Sequence, residues 1–147
     1  MTVPVQPPIP VPVPRFGRAW VAMAAVIALH VTDEAATGFL SVYNPAVRAI
    51  RARLPYLPLP TFTFGVWLAG LAAGVALLLL LAPAAFRGAR WIVRAALPLS
   101  VLMFANGLGH IGGSFYLGRL APGVMSAPLL LAASVWLFNE TWKLLRA

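Results

Sequence analysis

Four apolar runs, each near the roughly 20 residues that cross a bilayer core, constrain this chain more than any other feature. They extend from about Trp20 to Val42, Phe62 to Phe86, Trp91 to Leu117 and Val124 to Leu145. Runs of that length and apolarity read as an all-α bundle of four transmembrane helices. An even number of spans returns both termini to one side. Lys and Arg decide which side. The N-terminal flank (Arg15, Arg18), the second loop (Arg87, Arg90, Arg94) and the C-terminal flank (Lys143, Arg146) hold seven, against four for Arg48, Arg51, Arg53 and Arg119 in the other two loops. Positive residues stay on the inner side, so the reading is a multi-pass protein of the cell's inner (plasma) membrane with both ends in the cytoplasm.

Residues 1–17 form a separate unit. Prolines alternate at Pro8, Pro10, Pro12 and Pro14, which favours extended polyproline II and forbids a helix, so this stretch reads as a Pro-rich disordered tail ahead of a membrane domain at 18–147. The formal charge of +8 would suit nucleic acid, but the basic residues sit singly or in small groups at the ends of apolar runs, and no nucleic-acid partner is expected. The chain has no Cys, which excludes disulfides, thiolate metal sites and cysteine nucleophiles.

Against this background the acids stand out. There are three, Asp33, Glu34 and Glu140, and two histidines, His30 and His110. In a helix, His30, Asp33 and Glu34 fall at i, i+3 and i+4 and share a face; Asn106 and His110 do the same one span later. From Arg18, His30 is 12 residues on and Glu34 is 16; from Arg94, Asn106 is 12 on and His110 is 16. The first and third spans run in the same direction, so the two polar sets lie at matching depths, about 6 Å between levels. They are placed to meet.

A carboxylate at the bilayer centre costs on the order of 2.5 to 3.5 kcal/mol even on the lenient insertion scale, so two adjacent acids need a compensating partner. Two imidazoles and a carboxylate from facing helices make a divalent transition-metal site, for zinc or iron, with His30, Glu34 and His110 as ligands. Too few carboxylates are present for a di-iron cage. Asp33 then reads as a general acid or base, Glu34 as shared between metal and catalysis, and Asn106 as orienting a ligand. The function this supports is a metal-dependent or acid/base enzyme acting on a membrane lipid or another lipophilic small molecule. The same cluster also suits a proton or cation transporter or sensor. A structural protein using it as interhelical glue, at roughly 0.6 to 2 kcal/mol per bond, is the third reading.

Smaller features complete the expectations. Gly70 and Gly74, and Gly109 and Gly113, are spaced for close helix packing, with a homo-oligomer interface as the lesser use. Glu140 with Lys143 at i+3 reads as a solvated salt bridge in an aromatic belt. Tyr116 reads as an interfacial anchor. FLSVYNPAV (39–47) and FYLGRLAPGV (115–124) align with a one-residue gap, pairing Phe39 with Phe115 and Pro45 with Pro122, the pattern of a duplicated two-helix hairpin.

The residues quoted resemble a family of small bacterial membrane proteins named for an HXXEE motif, which also carries NxxxH and YxPG motifs. HVTDE, residues 30–34, matches with Asp33 where the family has its first Glu. Asn106-Gly107-Leu108-Gly109-His110 fits NxxxH, and Leu120-Ala121-Pro122-Gly123 fits the third motif except that Leu120 replaces Tyr. The order is kept across the first and third spans. The resemblance implies a bacterial membrane protein and supports the site without naming its chemistry.

Overall fold

The computed structural model describes residues 13–147, and the polyproline reading of residues 1–12 lies outside them. The described residues form six helices and no strand: α1 Val13–Thr37, α2 Leu40–Arg53, α3 Phe64–Leu80, α4 Ala82–Phe86, α5 Arg90–Leu117 and α6 Ala127–Arg146. The bundle is all-α. Three segments are long and apolar enough to cross a membrane: α1, α3 continued through α4, and α5. α6 is 20 residues long but carries Asn139, Glu140, Lys143 and Arg146.

α6 is the central packing element, lying antiparallel to α5 and also against α1. Its buried residues Ala127, Leu130, Ala133, Ser134, Leu137, Glu140 and Thr141 recur every three or four positions, the single stripe of an amphipathic helix. Phe16, Met23, Ile92, Leu130 and Leu137 are fully buried and make the core of the three-helix unit. α3 packs on α1 and leaves most of its surface open. Where α3 gives way to α4, the Leu78 carbonyl accepts a 2.7 Å hydrogen bond from the Trp20 indole N–H. That bond fastens the second apolar segment to the first.

Several boundaries differ from the sequence reading. α1 starts at Val13, well before Trp20, because Pro14 sits in the first turn, where its missing N–H satisfies no helical bond anyway. Residues 13–17 are therefore helical. The first helix also ends earlier than Val42: Gly38 takes φ +77°, a left-handed conformation open to glycine, and turns the chain into α2. Pro45 lies inside α2, whereas Pro122 lies in the turn before α6, so the two segments aligned as a repeat adopt different structures.

The glycine spacing also misdirects. Gly70, Gly74 and Gly109 have no atom within 4 Å of where a Cβ would stand. The close approach of α5 and α6 falls at Gly107, whose Cβ would meet Leu131 at 3.0 Å and the Ala127 carbonyl at 3.3 Å. Glu140 accepts a 2.7 Å bond from Lys143, as the spacing predicts, but it is buried against the bundle and only Lys143 is solvated. Val13, Gly88, Arg90, Leu144 and Ala147 line one cleft, so the start of α1, the start of α5 and the end of α6 meet at the same end of the bundle.

Candidate metal centre

At the opposite end of α1 and α5 the polar residues converge. His30 and Glu34 are one turn apart on α1 and both are buried; His110 on α5 is buried too. The His30 and His110 rings stand edge to face, with centroids 4.7 Å apart. Glu34 Oε1 lies 3.1 Å from His110 Nε2 and 3.7 Å from His30 Nε2. The levels counted from the flanking arginines match this: Glu34 faces His110, and Asn106 stands beside His30.

The loop between α5 and α6, residues 118–126, holds the cluster. Ser114 Oγ donates to the His110 carbonyl and accepts from the Ala121 N–H, folding the loop back along α5. His110 Nδ1 then bonds the Pro122 carbonyl. A carbonyl only accepts, so Nδ1 carries the proton and Nε2 is turned toward Glu34. Gly123 follows at φ +80°, and a Cβ there would stand 2.9 Å from Glu34 Cγ and from His110 Cε1 and Nδ1. Only glycine fits, for conformation and for space. The Gly123 N–H reaches Thr37 Oγ1 on α1 at 3.2 Å.

Ser126, the residue before α6, completes the clamp. Its Oγ donates to Asp33 Oδ2 at 2.7 Å, and its N–H donates to the same oxygen at 2.9 Å. With its single proton so directed, Ser126 Oγ accepts from His30 Nδ1, 2.8 Å away. His30 Nε2 is therefore a bare lone pair facing the interior. Asp33 does not join His30, Glu34 and His110; it caps the N-terminus of α6 from a neighbouring helix, where a carboxylate suits the helix dipole.

His30, Glu34 and His110 can hold a metal ion, with one ligand atom from each and all three atoms within 4.8 Å of one another. Ligands bound tetrahedrally at 2.0 to 2.1 Å sit about 3.3 Å apart, and the observed 3.1 and 3.7 Å bracket that spacing. Each imidazole has its Nδ1 engaged by a second group, the arrangement that orients histidine ligands in metal sites. Among the described residues two buried atoms make no hydrogen bond, His30 Nε2 and Asn106 Oδ1, and their side chains are neighbours. A buried polar atom without a bond costs about 1 to 3 kcal/mol, a cost that an ion at His30 Nε2 would relieve.

A cavity of about 280 Å³ opens beside the cluster, lined by Asn106 and His110 and otherwise by apolar groups of α5, α2 and the loop. Phe39 covers it, its ring 5.8 Å from His110 and stacked on Tyr43 and Trp67.

Reading the sequence identified His30, Asp33, Glu34, Asn106 and His110 but missed Ser126, Thr37 and the steric role of Gly123. A signal for Ser126 was present, because Ser-Ala-Pro at 126–128 marks a helix start. What that start touches is not local information. No curated protein and no solved structure matches the chain. A family model described as a protein of unknown function with HXXEE motif matches residues 20–137, from α1 through most of α6. The segments that carry its name, the NxxxH pair and the Pro-Gly turn meet at one buried centre, and the chain belongs to the HXXEE family.

Proposed function

We propose that this is a multi-pass membrane protein that binds one divalent transition metal through His30, Glu34 and His110 and uses it as an enzyme on a lipophilic substrate. The observation that carries the reading is the convergence of two Nδ1-anchored imidazoles and one carboxylate beside an apolar cavity. Three protein ligands leave positions free for water or substrate, as in catalytic zinc and facial-triad iron(II) sites. A divalent ion held by His30, Glu34 and His110 would supply Lewis-acid chemistry, for polarising a substrate oxygen or activating water. Asn106 orients the exchangeable ligand through its unpartnered Oδ1. Asp33 acts through Ser126 on the orientation of His30, while Glu34 ligates.

In this reading α6 is the fourth span, its polar residues turned into the bundle or gathered at the end that holds Arg15, Arg90, Arg94 and Arg146. That end faces the cytoplasm. Catalysis is favoured over transport because the core of Phe16, Met23, Ile92, Leu130 and Leu137 fills the bundle between the cluster and the basic end. An ion path would have to cross it.

The test is metal content by mass spectrometry of detergent-purified protein, with size exclusion as the check on folding. Near one zinc or iron per chain in wild type, lost in His30→Ala, Glu34→Gln and His110→Ala while they elute unchanged, is the expected result. Wild type that holds no metal after incubation with zinc or with iron(II) under anaerobic conditions sinks the proposal.

A further inference from the structure

The cavity at His110 does not end there. A second cavity, of about 450 Å³, shares Val42, Gly113 and Leu117 with it and continues between α2 and the end of α5 as far as Tyr116 and Arg119. Together they form a trough along one face of α5. From His110 to Leu117 is about 10 Å at 1.5 Å per residue. The floor includes Gly109 and Gly113, four apart; a Cβ at Gly109 would meet nothing within 4 Å, so the missing side chain is the room the trough occupies. α2 is the opposite wall. It is tied by Asn44, which exchanges two hydrogen bonds with the Phe62 backbone, and by Tyr43, whose hydroxyl bonds the Pro60 carbonyl.

The two ends of the trough are polar and its walls are not. At the inner end are His110 and Asn106. At the outer end is Arg119, and the chain has no acid to give it. All three acids are engaged elsewhere, Asp33 by Ser126, Glu34 beside the histidines and Glu140 by Lys143. Arg119 is exposed at that mouth, and no acid lines either cavity. An apolar slot with a fixed cation at its mouth complements an amphiphile with an anionic head.

We infer that the trough between α2 and α5 binds a membrane lipid with an anionic head group, the head at Arg119 and the hydrocarbon along Gly113 and Gly109, so that a group about 10 Å into the chain reaches His30, Glu34 and His110. This rests on the metal-enzyme reading for what happens at the inner end. It also names the substrate class: an anionic amphiphile drawn from the bilayer, held so that the histidines and Glu34 lie beside its chain and away from its head.

The experiment uses full-length protein in neutral detergent and a long-chain fatty acid bearing a photoactivatable diazirine, beside the corresponding fatty alcohol. Cross-linked peptides are mapped by mass spectrometry, and metal is measured on the same samples. Wild type should be labelled by the acid on α5 and α2, and about tenfold less by the alcohol, the scale of a hydrogen bond to a charged group. Arg119→Gln should bring acid and alcohol to the same level. Gly109→Leu, which fills the trough without touching a ligand, should abolish labelling and keep its metal. Equal labelling of wild type by acid and alcohol, labelling confined to the open face of α3, or Gly109→Leu labelled like wild type would each overturn the inference. Arg119 is exposed, so its variant remains informative if Gly109→Leu does not fold. Metal without trough labelling removes the lipid inference alone; trough labelling without metal removes the metal reading alone.

Discussion

At the residue scale, the centre depends on which nitrogen of each histidine is already occupied. Pro122 takes His110 Nδ1 and Ser126 takes His30 Nδ1, so neither ring needs to turn before its Nε2 meets a metal. Ser126→Ala removes the acceptor of His30 and one of the two donors to Asp33. Titration of the metal-stripped variant with zinc should give an affinity 10- to 100-fold weaker than wild type, the usual cost of losing an outer hydrogen-bond partner. Unchanged affinity would mean that Asp33 and Ser126 serve only the start of α6. Gly123→Ala is a different case, because the methyl collides with both Glu34 and His110 at a φ of +80°. Thermal unfolding in detergent should show a loss of about 1 to 3 kcal/mol, with metal content reduced alongside. Protons compete for the same lone pairs, so metal occupancy should fall as the buffer is acidified and return on neutralisation.

At the scale of elements, α5 uses its glycines for two unlike purposes. Gly107 lets α6 approach, with Leu131 and the Ala127 carbonyl close to where its Cβ would be. Gly109, two positions on, faces open space. Gly107→Leu should therefore destabilise the fold by roughly 1 to 3 kcal/mol, as overpacking does, while Gly109→Leu should leave the unfolding temperature near that of wild type. Equal effects at the two positions would contradict the observed contact between α5 and α6. The apolar run of α5 was legible in the sequence, and so was its polar face. Which glycine meets a neighbour was not, because an i, i+4 spacing states which residues share a face and is silent about what lies opposite. α2 was misread for a related reason. Its first residues were read as the end of a first span reaching Val42, yet the chain had already turned at Gly38.

For the whole molecule, α1 supplies His30 and Glu34, α5 supplies His110, and the loop leading into α6 fixes both rings. A metal that binds the folded centre and not the unfolded chain must raise stability, by about 2.7 kcal/mol when free metal is a hundredfold above its dissociation constant. Chelation should lower the unfolding temperature of wild type and leave His110→Ala unmoved. An equal response of both proteins would place the metal somewhere else. The topology makes a separate prediction. Single cysteines introduced beside Arg15 and beside Arg146, at the end of the bundle where α1 begins and α6 ends, should react with an impermeant thiol reagent from the same side of the membrane.

The sequence alone determined that the chain is helical and apolar enough to enter a membrane, because run length and hydropathy are properties of consecutive residues. It also determined which polar residues share a helix face and, through the count from Arg18 and Arg94, which of them lie at the same depth. Periodicity and rise per residue are enough for that. The tertiary structure decided the rest. It separated two adjacent acids, sending Asp33 to Ser126 and Glu34 to the histidines, although both had been read into one catalytic set. It made the turn at Pro122 and Gly123 the support of His110, with Gly123 pressed against Glu34. Neighbouring side chains on a helix point about 100° apart, so residues adjacent in sequence meet different helices, and only the packing of those helices assigns each its partner.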